Sequence, residues 1–275
     1  MEEDNMKKGT RQKFSRVVTV FFLAIFMVFA GLAPSHGAEI EKTKNLDVSG
    51  LFNGKEGTVV LKNVKNDKKY IYNKRRSQER LTPESTFKIP HSLIGLENHA
   101  IRDEYEVKRW DGILRQFESW NRDHSLASAM RESAIWFYQD MARDIGEIDM
   151  SEYINAIGYG NRDISGGIDE FWLDSTLKIS AVEQVDFMEE LVEEDLPFSK
   201  KTQKTVKRMM IQDEQDTYTL HGKTGTRLSD MKLGWYVGFI KTEKDTWLFA
   251  VNINGTGTEA KEILIDIAKH KGIID

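Results

Sequence analysis

The sequence of 275 residues contains no cysteine, and this absence excludes several kinds of site at once. A disulfide framework, a cysteine-ligated zinc or iron–sulfur site, a cysteine nucleophile and a lipidated cysteine anchor all require the thiol. Proline is also scarce, at four residues, while apolar residues make up 40% of the chain, which favours a globular body over disorder. A formal net charge of −5 argues against nucleic acid as a main partner, because phosphate binding requires a basic surface.

The first 38 residues follow the pattern of a secretory signal peptide. A basic segment from Lys7 to Arg16 precedes an uncharged apolar run from Val17 to Ala33, and small residues follow as far as Ala38. We expect cleavage near Gly37–Ala38 or after Ala33 and a secreted, extracytoplasmic mature chain. The alternative is an uncleaved membrane anchor, although the run is slightly shorter than the ~20 residues that a spanning helix needs. Removal of the leader, with its net charge of +2, would leave the body at −7.

The rest of the chain, residues 39–275, has strand patterns at both ends and helical patterns between them. Strands are predicted at 58–61, 69–72, 218–226, 233–242 and 246–253, the last three as an antiparallel meander. Residues 85–195 have a mostly helical pattern, with one helix opening at a capping box formed by Ser180 and Glu183, and a final helix is predicted over 260–269.

This order predicts an α+β fold: one antiparallel β-sheet, built from both ends of the chain, is flanked by helices and carries a mainly helical insertion. We expect a single two-lobed catalytic domain over residues 39–275. Its sheet lobe would comprise about 45–80 and 200–275, and its helical lobe about 85–195.

Several common catalytic motifs are missing. There is no phosphate-binding loop, no dinucleotide-binding glycine pattern, no H-E-x-x-H and no G-x-S-x-G. The scattered histidines lack metal-ligand spacing, so no metal site is expected.

A serine and a lysine three residues apart are the first candidates for catalysis. Ser85 and Lys88 share one face of a helix that we expect to begin with Thr82 as N-cap and Pro83 at its first position. Near a helix N-terminus, backbone N–H groups and the helix dipole favour developing negative charge, which suits a nucleophile. Pro90 is expected to tighten or kink the first turn, because its nitrogen cannot donate a hydrogen bond.

Further motifs follow this pair in a fixed order. They are Ser133-Ala134-Ile135, Tyr159-Gly160-Asn161, Phe171-Trp172-Leu173, Lys223-Thr224-Gly225 and the run from Gly234 to Phe239. The order S-x-x-K, S-x-aliphatic, K-T-G resembles the penicillin-recognising serine enzymes. The S-T-F-K, Y-G-N and F-W-L sequences narrow the resemblance to the class D serine β-lactamases, the oxacillinase family, over about residues 45–275.

The resemblance implies hydrolysis of β-lactams through an acyl-enzyme on Ser85, and with it antibiotic resistance in a bacterium. It also implies that CO2 or bicarbonate carboxylates Lys88 and that the carbamate is the general base, with no other cofactor. Trp172 would donate its indole N–H to the carbamate, and the aliphatic Ile135 would keep the surroundings apolar. Ser133 would pass a proton to the leaving nitrogen.

The resemblance gives the remaining residues substrate-related roles. Lys223 would polarise Ser133 and attract the substrate carboxylate, and the backbone N–H groups of Ser85 and Thr226 would form the oxyanion hole. Thr224, Gly225, Thr226 and Lys261 would bind substrate, and Tyr159 and Asn161 would either shape the pocket wall and do no chemistry or take part in the reaction. Family members often place an arginine near the position of Ala260; the adjacent Lys261 would replace it, as a point charge without the guanidinium fork.

Two other functions would also involve acylation of Ser85. One is a non-hydrolysing β-lactam sensor domain, disfavoured because no large membrane protease is attached. The other is a D-Ala-D-Ala transpeptidase or carboxypeptidase, for which S-x-N is expected in place of Ser133-Ala134-Ile135. The expected partners are β-lactam small molecules, with no nucleic acid and with membrane contact only through an uncleaved leader; the oligomeric state stays open.

Overall fold

The computed structural model describes residues 43–275, and the predicted leader lies outside them. Within this range, strands form a seven-stranded sheet and a separate two-stranded one. The larger sheet contains β1 (Thr43–Asn45), β2 (Gly57–Asn63), β3 (Lys68–Tyr72), β6 (Ile211–Glu214), β7 (Tyr218–Thr226), β8 (Gly234–Thr242) and β9 (Thr246–Ile253), and the smaller contains β4 (Val107–Lys108) and β5 (His124–Ser125).

The strand order in the larger sheet is β1-β3-β2-β9-β8-β7-β6. Neighbours are antiparallel except β1, which is parallel to β3. Strand β9 pairs with β2 on one side and with β8 on the other, so the two ends of the chain join in the middle of the sheet. The predicted α+β fold is therefore confirmed.

The helices of the described residues are mostly short. They are α1 (Lys74–Ser77), α2 (Lys88–Glu97), α3 (Leu126–Glu132), α4 (Ile135–Ile145), α5 (Glu147–Ala156), α6 (Ala181–Glu193), α7 (Lys200–Met209) and α8 (Gly257–His270). The predicted capping box of Ser180 and Glu183 opens α6. A second box, formed by Thr256 and Glu259, starts α8 three residues before the predicted boundary. No helix among residues 43–275 has the length and apolarity to cross a membrane.

The sheet separates two apolar cores. Successive side chains of a strand point to opposite faces, so Tyr236 packs under α8 while Val237 packs toward the helical part of the molecule. In that helical part, α2 is buried from Lys88 to Leu96. A helix that is buried on all sides lies in the centre of a core. Lys88 is its first residue, so the lysine side chain is also placed in that core.

The predicted layout differs from the structure at four places. Residues 98–125 and 157–180 are mainly loops, because turn-forming Gly, Asp and Asn interrupt the helical pattern there. Helix α6 was assigned to the helical lobe but packs on strands β2 and β9. Helix α7 was assigned to the sheet lobe but packs on α2. In both helices the apolar face predicts that one side is buried. It does not indicate against which element that side packs.

Candidate active site

The candidate nucleophile lies on a tight turn in front of α2. Residues Glu84–Phe87 form a 3-10 turn, and Nζ of Lys88 donates a hydrogen bond to Oγ of Ser85 over 3.0 Å. Pro90 lacks the N–H that a regular α-helix would use at this turn, so the chain tightens as predicted. The turn fixes the two candidate residues against each other.

The predicted N-cap at Thr82 is wrong. Glu84 has a left-handed φ of 52°, which breaks the helical path just before Ser85. The hydroxyl of Thr82 consequently donates to Oε1 of Glu84 at 2.6 Å, and no side chain caps the turn. The same Oε1 accepts the backbone N–H of Asp174 at 3.0 Å, and the N–H of Glu84 donates to the carbonyl of Trp172 at 3.1 Å. Glu84 thus ties the serine turn to the loop that carries Trp172.

Lys88 has the environment of a neutral amine. Its side chain is fully buried, and burial lowers its pKa well below the usual value. The nearby charge of Lys223 lowers this pKa further, while Glu84 acts in the opposite direction. A neutral amine with a lone pair can take a proton from the Ser85 hydroxyl or react with an electrophile.

A second serine–lysine pair faces the first. Ser133 ends α3 with a left-handed φ of 57°, and Nζ of Lys223 on β7 donates to its Oγ and, at 2.9 Å, to the carbonyl of Thr224. Burial, with the charge of Lys261 as a smaller cause, lowers the pKa of Lys223 to about 7. Such a group changes its charge near neutral pH, so it can both transfer a proton and attract an anion.

The end of β7 lies against the serine turn. A Cβ on Gly225 would lie 3.1 Å from the carbonyl oxygen of Pro83 and 3.3 Å from the backbone nitrogen of Ser85. Only glycine permits this approach without displacing the turn. The next residue, Thr226, is fixed from behind, because its Oγ1 accepts the N–H of Gly257 at 2.9 Å.

A cavity of about 170 Å³ opens between these elements. Its polar wall contains Ser85, Ser133, Thr224 and Thr226, and its apolar wall contains Phe117, Trp120, Ile135 and Leu228. Both lysines are buried, and each contacts a serine hydroxyl of the polar wall. Within residues 43–275 no group of three or more His, Asp or Glu side chains is placed to hold a metal ion.

Trp172 is packed against the serine turn from the loop side. Its ring stacks on Phe87 with centroids 5.7 Å apart, and the side chain is fully buried. Its indole N–H has no hydrogen-bond partner among the described residues. A buried donor without a partner costs about 1–3 kcal/mol, so this site suits an additional acceptor.

Comparisons with known proteins agree with this geometry. Residues 51–269 match the family model described as "Penicillin binding protein transpeptidase domain". The chain is 53% identical over 260 residues, 92% of its length and 97% of the relative's, to "Probable beta-lactamase YbxI" of Bacillus subtilis (strain 168). It is 38% identical to "Beta-lactamase OXA-48" of Klebsiella pneumoniae, over 84% of this chain and 88% of that one. The solved structure "Class D beta-lactamase BAT-2" superposes with a TM-score of 0.82 at 59% identity, over 84% of this chain and 97% of that one.

The chain belongs to the class D β-lactamases. The family resemblance read from the sequence is thereby confirmed, as is the fold that it implied. Four residues to which the class D resemblance gave catalytic roles, Ser85, Lys88, Ser133 and Lys223, lie in two contacting pairs beside one cavity.

The role expected of Lys261 does not agree with its position. Its amine contacts Oε1 of Gln212 at 3.2 Å and lies 5.8 Å from the ring centre of Tyr236, and the residue does not line the cavity. The amine is held between Gln212 on the edge strand β6 and the ring of Tyr236 on β8. It acts on the site by lowering the pKa of Lys223.

Tyr159 and Asn161 also lie off the cavity wall. The hydroxyl of Tyr159 donates to Gln184 at 3.2 Å, and its buried ring packs edge-on against Phe87. The side-chain oxygen of Asn161 accepts the N–H of Lys178 at 2.8 Å, which closes the loop around Trp172. The pocket-shaping role expected of both residues therefore does not agree with their positions: Tyr159 packs on Phe87 of the serine turn, and Asn161 holds the loop that carries Trp172.

Some residues of this class D site have no signal in the sequence. The buried carboxyl of Glu84 and the apolar wall residues Phe117, Trp120 and Leu228 sit on turns and loops, where no periodicity marks a side chain as inward-facing. His91, interpreted with the other scattered histidines as structural or superficial, lies one helical turn after Lys88 and has two unpartnered ring nitrogens among the described residues.

Proposed function

We propose that this chain hydrolyses β-lactam antibiotics through a covalent acyl-enzyme on Ser85 and thereby gives resistance to them. The observation that carries the proposal is the 3.0 Å contact between Oγ of Ser85 and Nζ of Lys88, a lysine that is fully buried and has a lowered pKa. A hydroxyl becomes a useful nucleophile when a base lies within hydrogen-bond reach.

The first step makes one bond and breaks another. Oγ of Ser85 attacks the ring carbonyl, its proton leaves to the base at position 88, and the lactam C–N bond breaks to give an ester. The ring nitrogen takes a proton from the hydroxyl of Ser133, Lys223 replaces that proton through its contact with Ser133, and the proton held by the base at position 88 passes on to restore Lys223. Water then attacks the ester while the freed base takes a proton from it, and the base returns this proton to Oγ of Ser85 when the product acid leaves.

The carbonyl oxygen of the substrate carries negative charge during both steps. The backbone N–H groups of Ser85 and Thr226 are proposed to bind it, and the close approach of Gly225 to the Ser85 nitrogen supports this arrangement. Loss of one such donor typically costs about 2.7–4 kcal/mol of transition-state stabilisation. The substrate carboxylate would meet the charge of Lys223 beside Thr224, whereas Lys261 lies outside the cavity.

Lys88 is proposed to carry a carboxyl group added from CO2 or bicarbonate. The group would supply an anionic oxygen base for both steps. Two observations support it: burial favours the neutral amine, the form that reacts with CO2, and the unpartnered indole N–H of Trp172 is ready to bind an acceptor. Ile135 at the cavity wall offers no polar atom that would stabilise an ammonium instead.

Multiple turnover of a chromogenic cephalosporin tests the proposal. The protein should hydrolyse many equivalents, Ser85→Ala should abolish turnover, and Ser151→Ala, on a helix away from the cavity, should retain it. A single stoichiometric burst with a lasting adduct on Ser85 would instead indicate a sensor or a transpeptidase. Lys88→Ala should also lose turnover, and bicarbonate should restore activity lost by the native protein at acid pH.

The leader over residues 1–38 is proposed to direct export and to be removed, so that hydrolysis takes place outside the cytoplasm. N-terminal sequencing of protein collected from the culture medium and from membranes tests this. We expect a start near residue 38 or 34 in the medium, whereas a chain that begins at Met1 and stays with the membrane would contradict export with cleavage.

A further inference from the structure

A second unpartnered polar side chain lies beside Lys88. His91 follows Lys88 by three residues on α2, so both side chains lie on one face of the helix. The imidazole is fully buried, and neither Nδ1 nor Nε2 has a hydrogen-bond partner among residues 43–275. Buried polar atoms are nearly always paired, so two orphaned nitrogens on one ring require an explanation.

Aromatic rings that pack against His91 also lie next to the amine of Lys88. The imidazole lies 5.1 Å from the Trp172 ring and 5.2 Å from the Tyr138 ring, both edge-on. Nζ of Lys88 lies 5.0 Å from the centre of the same Tyr138 ring. The orphaned nitrogens of His91 and the orphaned indole N–H of Trp172 therefore belong to one buried aromatic enclosure around the amine.

The imidazole in this enclosure is neutral. Burial is the main cause that lowers the pKa of His91 to about 3. A neutral imidazole has one N–H donor and one acceptor nitrogen. It can therefore donate a hydrogen bond to an acceptor in the enclosure without carrying a charge. The hydroxyl of Tyr138 is occupied by Ser92 at 2.9 Å, so it does not satisfy either ring nitrogen.

We propose that His91 is a positioning residue for the carboxylated form of Lys88: its ring N–H donates to one carbamate oxygen while the Trp172 N–H donates to the carbamate from its own side. This rests on the carboxylation proposed above. In forming the carbamate, Nζ bonds to the carbon of CO2, one C=O π pair becomes the oxygen anion, and one amine proton leaves to solvent. A single new acceptor group would thus satisfy two orphaned donors.

Labelled bicarbonate measures this directly. In the full protein, ¹³C NMR with ¹³C-bicarbonate reports the carbamate, and a titration gives the concentration for half occupancy; Lys88→Ala identifies the signal by its loss. His91→Phe keeps a ring but removes the donor, and we expect half occupancy to need about ten- to hundredfold more bicarbonate, since hydrogen bonds to charged groups are worth roughly this factor. His91→Asn, which keeps a donor, should stay closer to the native value.

A thermal measurement separates positioning from mere packing. Without CO2, His91→Phe lacks the two unpartnered ring nitrogens, so it should melt at or above the melting temperature of the native protein. With ¹³C-bicarbonate, the same variant should be carboxylated less at a given concentration. A purely structural histidine would lower both stability and occupancy, and that result would overturn the proposal.

The native protein offers a test that needs no variant. With ¹⁵N-histidine labelling, addition of bicarbonate should shift one ring nitrogen of His91. An unmoved signal in a sample that shows the carbamate would overturn the role of His91 and leave carboxylation standing. Turnover of a cephalosporin with no carbamate signal in the native protein would reject carboxylation and this role together, but not the acyl-enzyme.

Discussion

At the scale of single residues, Glu84 couples the stability of the site to pH. Burial raises its pKa to about 7, the charge of Asp174 adds to the rise, and hydrogen bonds from Thr82 and Asp174 and the charge of Arg227 oppose it. The folded state then holds a proton that the unfolded state releases near pH 4.5, so the free energy of unfolding falls as the pH rises from about 4.5 to about 7.

Glu84→Gln should remove this pH dependence. The amide oxygen can accept both hydrogen bonds without ionising, so above pH 7 the variant should be more stable than the native protein by on the order of 3 kcal/mol, with little difference near pH 4. Urea unfolding at pH 4.5 and pH 8 measures the difference. The exposed Glu152→Gln is the control, and a gain of equal size at both pH values would contradict the assignment.

Lys261 should influence the pH profile and leave substrate affinity nearly unchanged. Lys261→Met removes a positive charge that lowers the pKa of Lys223, so that pKa should rise from about 7. The corresponding limb of kcat/KM should move to higher pH, while KM changes little because the side chain lies outside the cavity. Lys269→Met on the same helix is the control. A large rise in KM without a shift of the profile would restore Lys261 as a substrate ligand.

At the scale of elements, the side chain of Asn161 makes three of the hydrogen bonds that close the loop around Trp172. Asn161 donates from Nδ2 to the carbonyl of Thr176 at 2.8 Å, and its Oδ1 accepts the N–H groups of Lys178 and Asp163 at 2.8 and 3.3 Å. Asn161→Ala should weaken closure by about 1.5–4.5 kcal/mol in total, because each of the three bonds contributes about 0.5–1.5 kcal/mol.

Hydrogen exchange of amides in residues 161–178 measures this loosening. Faster exchange is expected in Asn161→Ala, while Asn155→Ala, which removes a bond within the surface of α5, should leave the loop unchanged. Equal exchange in native protein and Asn161→Ala would mean that other contacts hold the loop.

The junction between β7 and the serine turn permits little added volume. Gly225→Ala places a methyl group 3.1 Å from the Pro83 carbonyl oxygen and 3.3 Å from the Ser85 nitrogen, so the turn must move. A displacement of the nucleophile of a few tenths of an ångström should reduce kcat/KM by about tenfold or more. Gly50→Ala is the control, because its added Cβ meets nothing within 4 Å. Full activity in Gly225→Ala would show that strand and turn adapt to each other.

The elements differ in how far the sequence could predict them. Strands β7 to β9 and the helix that begins after Ser180 have strong local signals, alternation and a capping box, and the structure confirms them. The motifs around Ser85 and Lys223 were found because their spacing is characteristic of a family. The left-handed Glu84 and the direction taken by Lys261 depend on tertiary neighbours, Asp174 and Gln212, to which no local pattern refers.

At the scale of the whole described molecule, the sheet is a wall shared by two cores. One core lies under α8 and contains Leu264, Tyr236 and Phe249, and the other contains Trp172 and the helical elements around the site. Because each strand contributes side chains to both cores, loss of one core should remove the support of the other. Unfolding of residues 43–275 should therefore be a single transition.

Leu264→Ala tests this from the side remote from the cavity. The side chain is fully buried, and its truncation should reduce the free energy of unfolding by about 2–5 kcal/mol. Trp247 packs on the Leu264 core, so the measurement is made in a Trp247→Phe background. There the tryptophan fluorescence, with Trp136, Trp172 and Trp235 in the opposite core, should shift its urea midpoint together with far-UV circular dichroism. The exposed Glu262→Ala on the same helix should shift neither. A fluorescence midpoint that stays at the native value while the dichroism midpoint falls would show that the two cores unfold separately and that the site does not depend on α8.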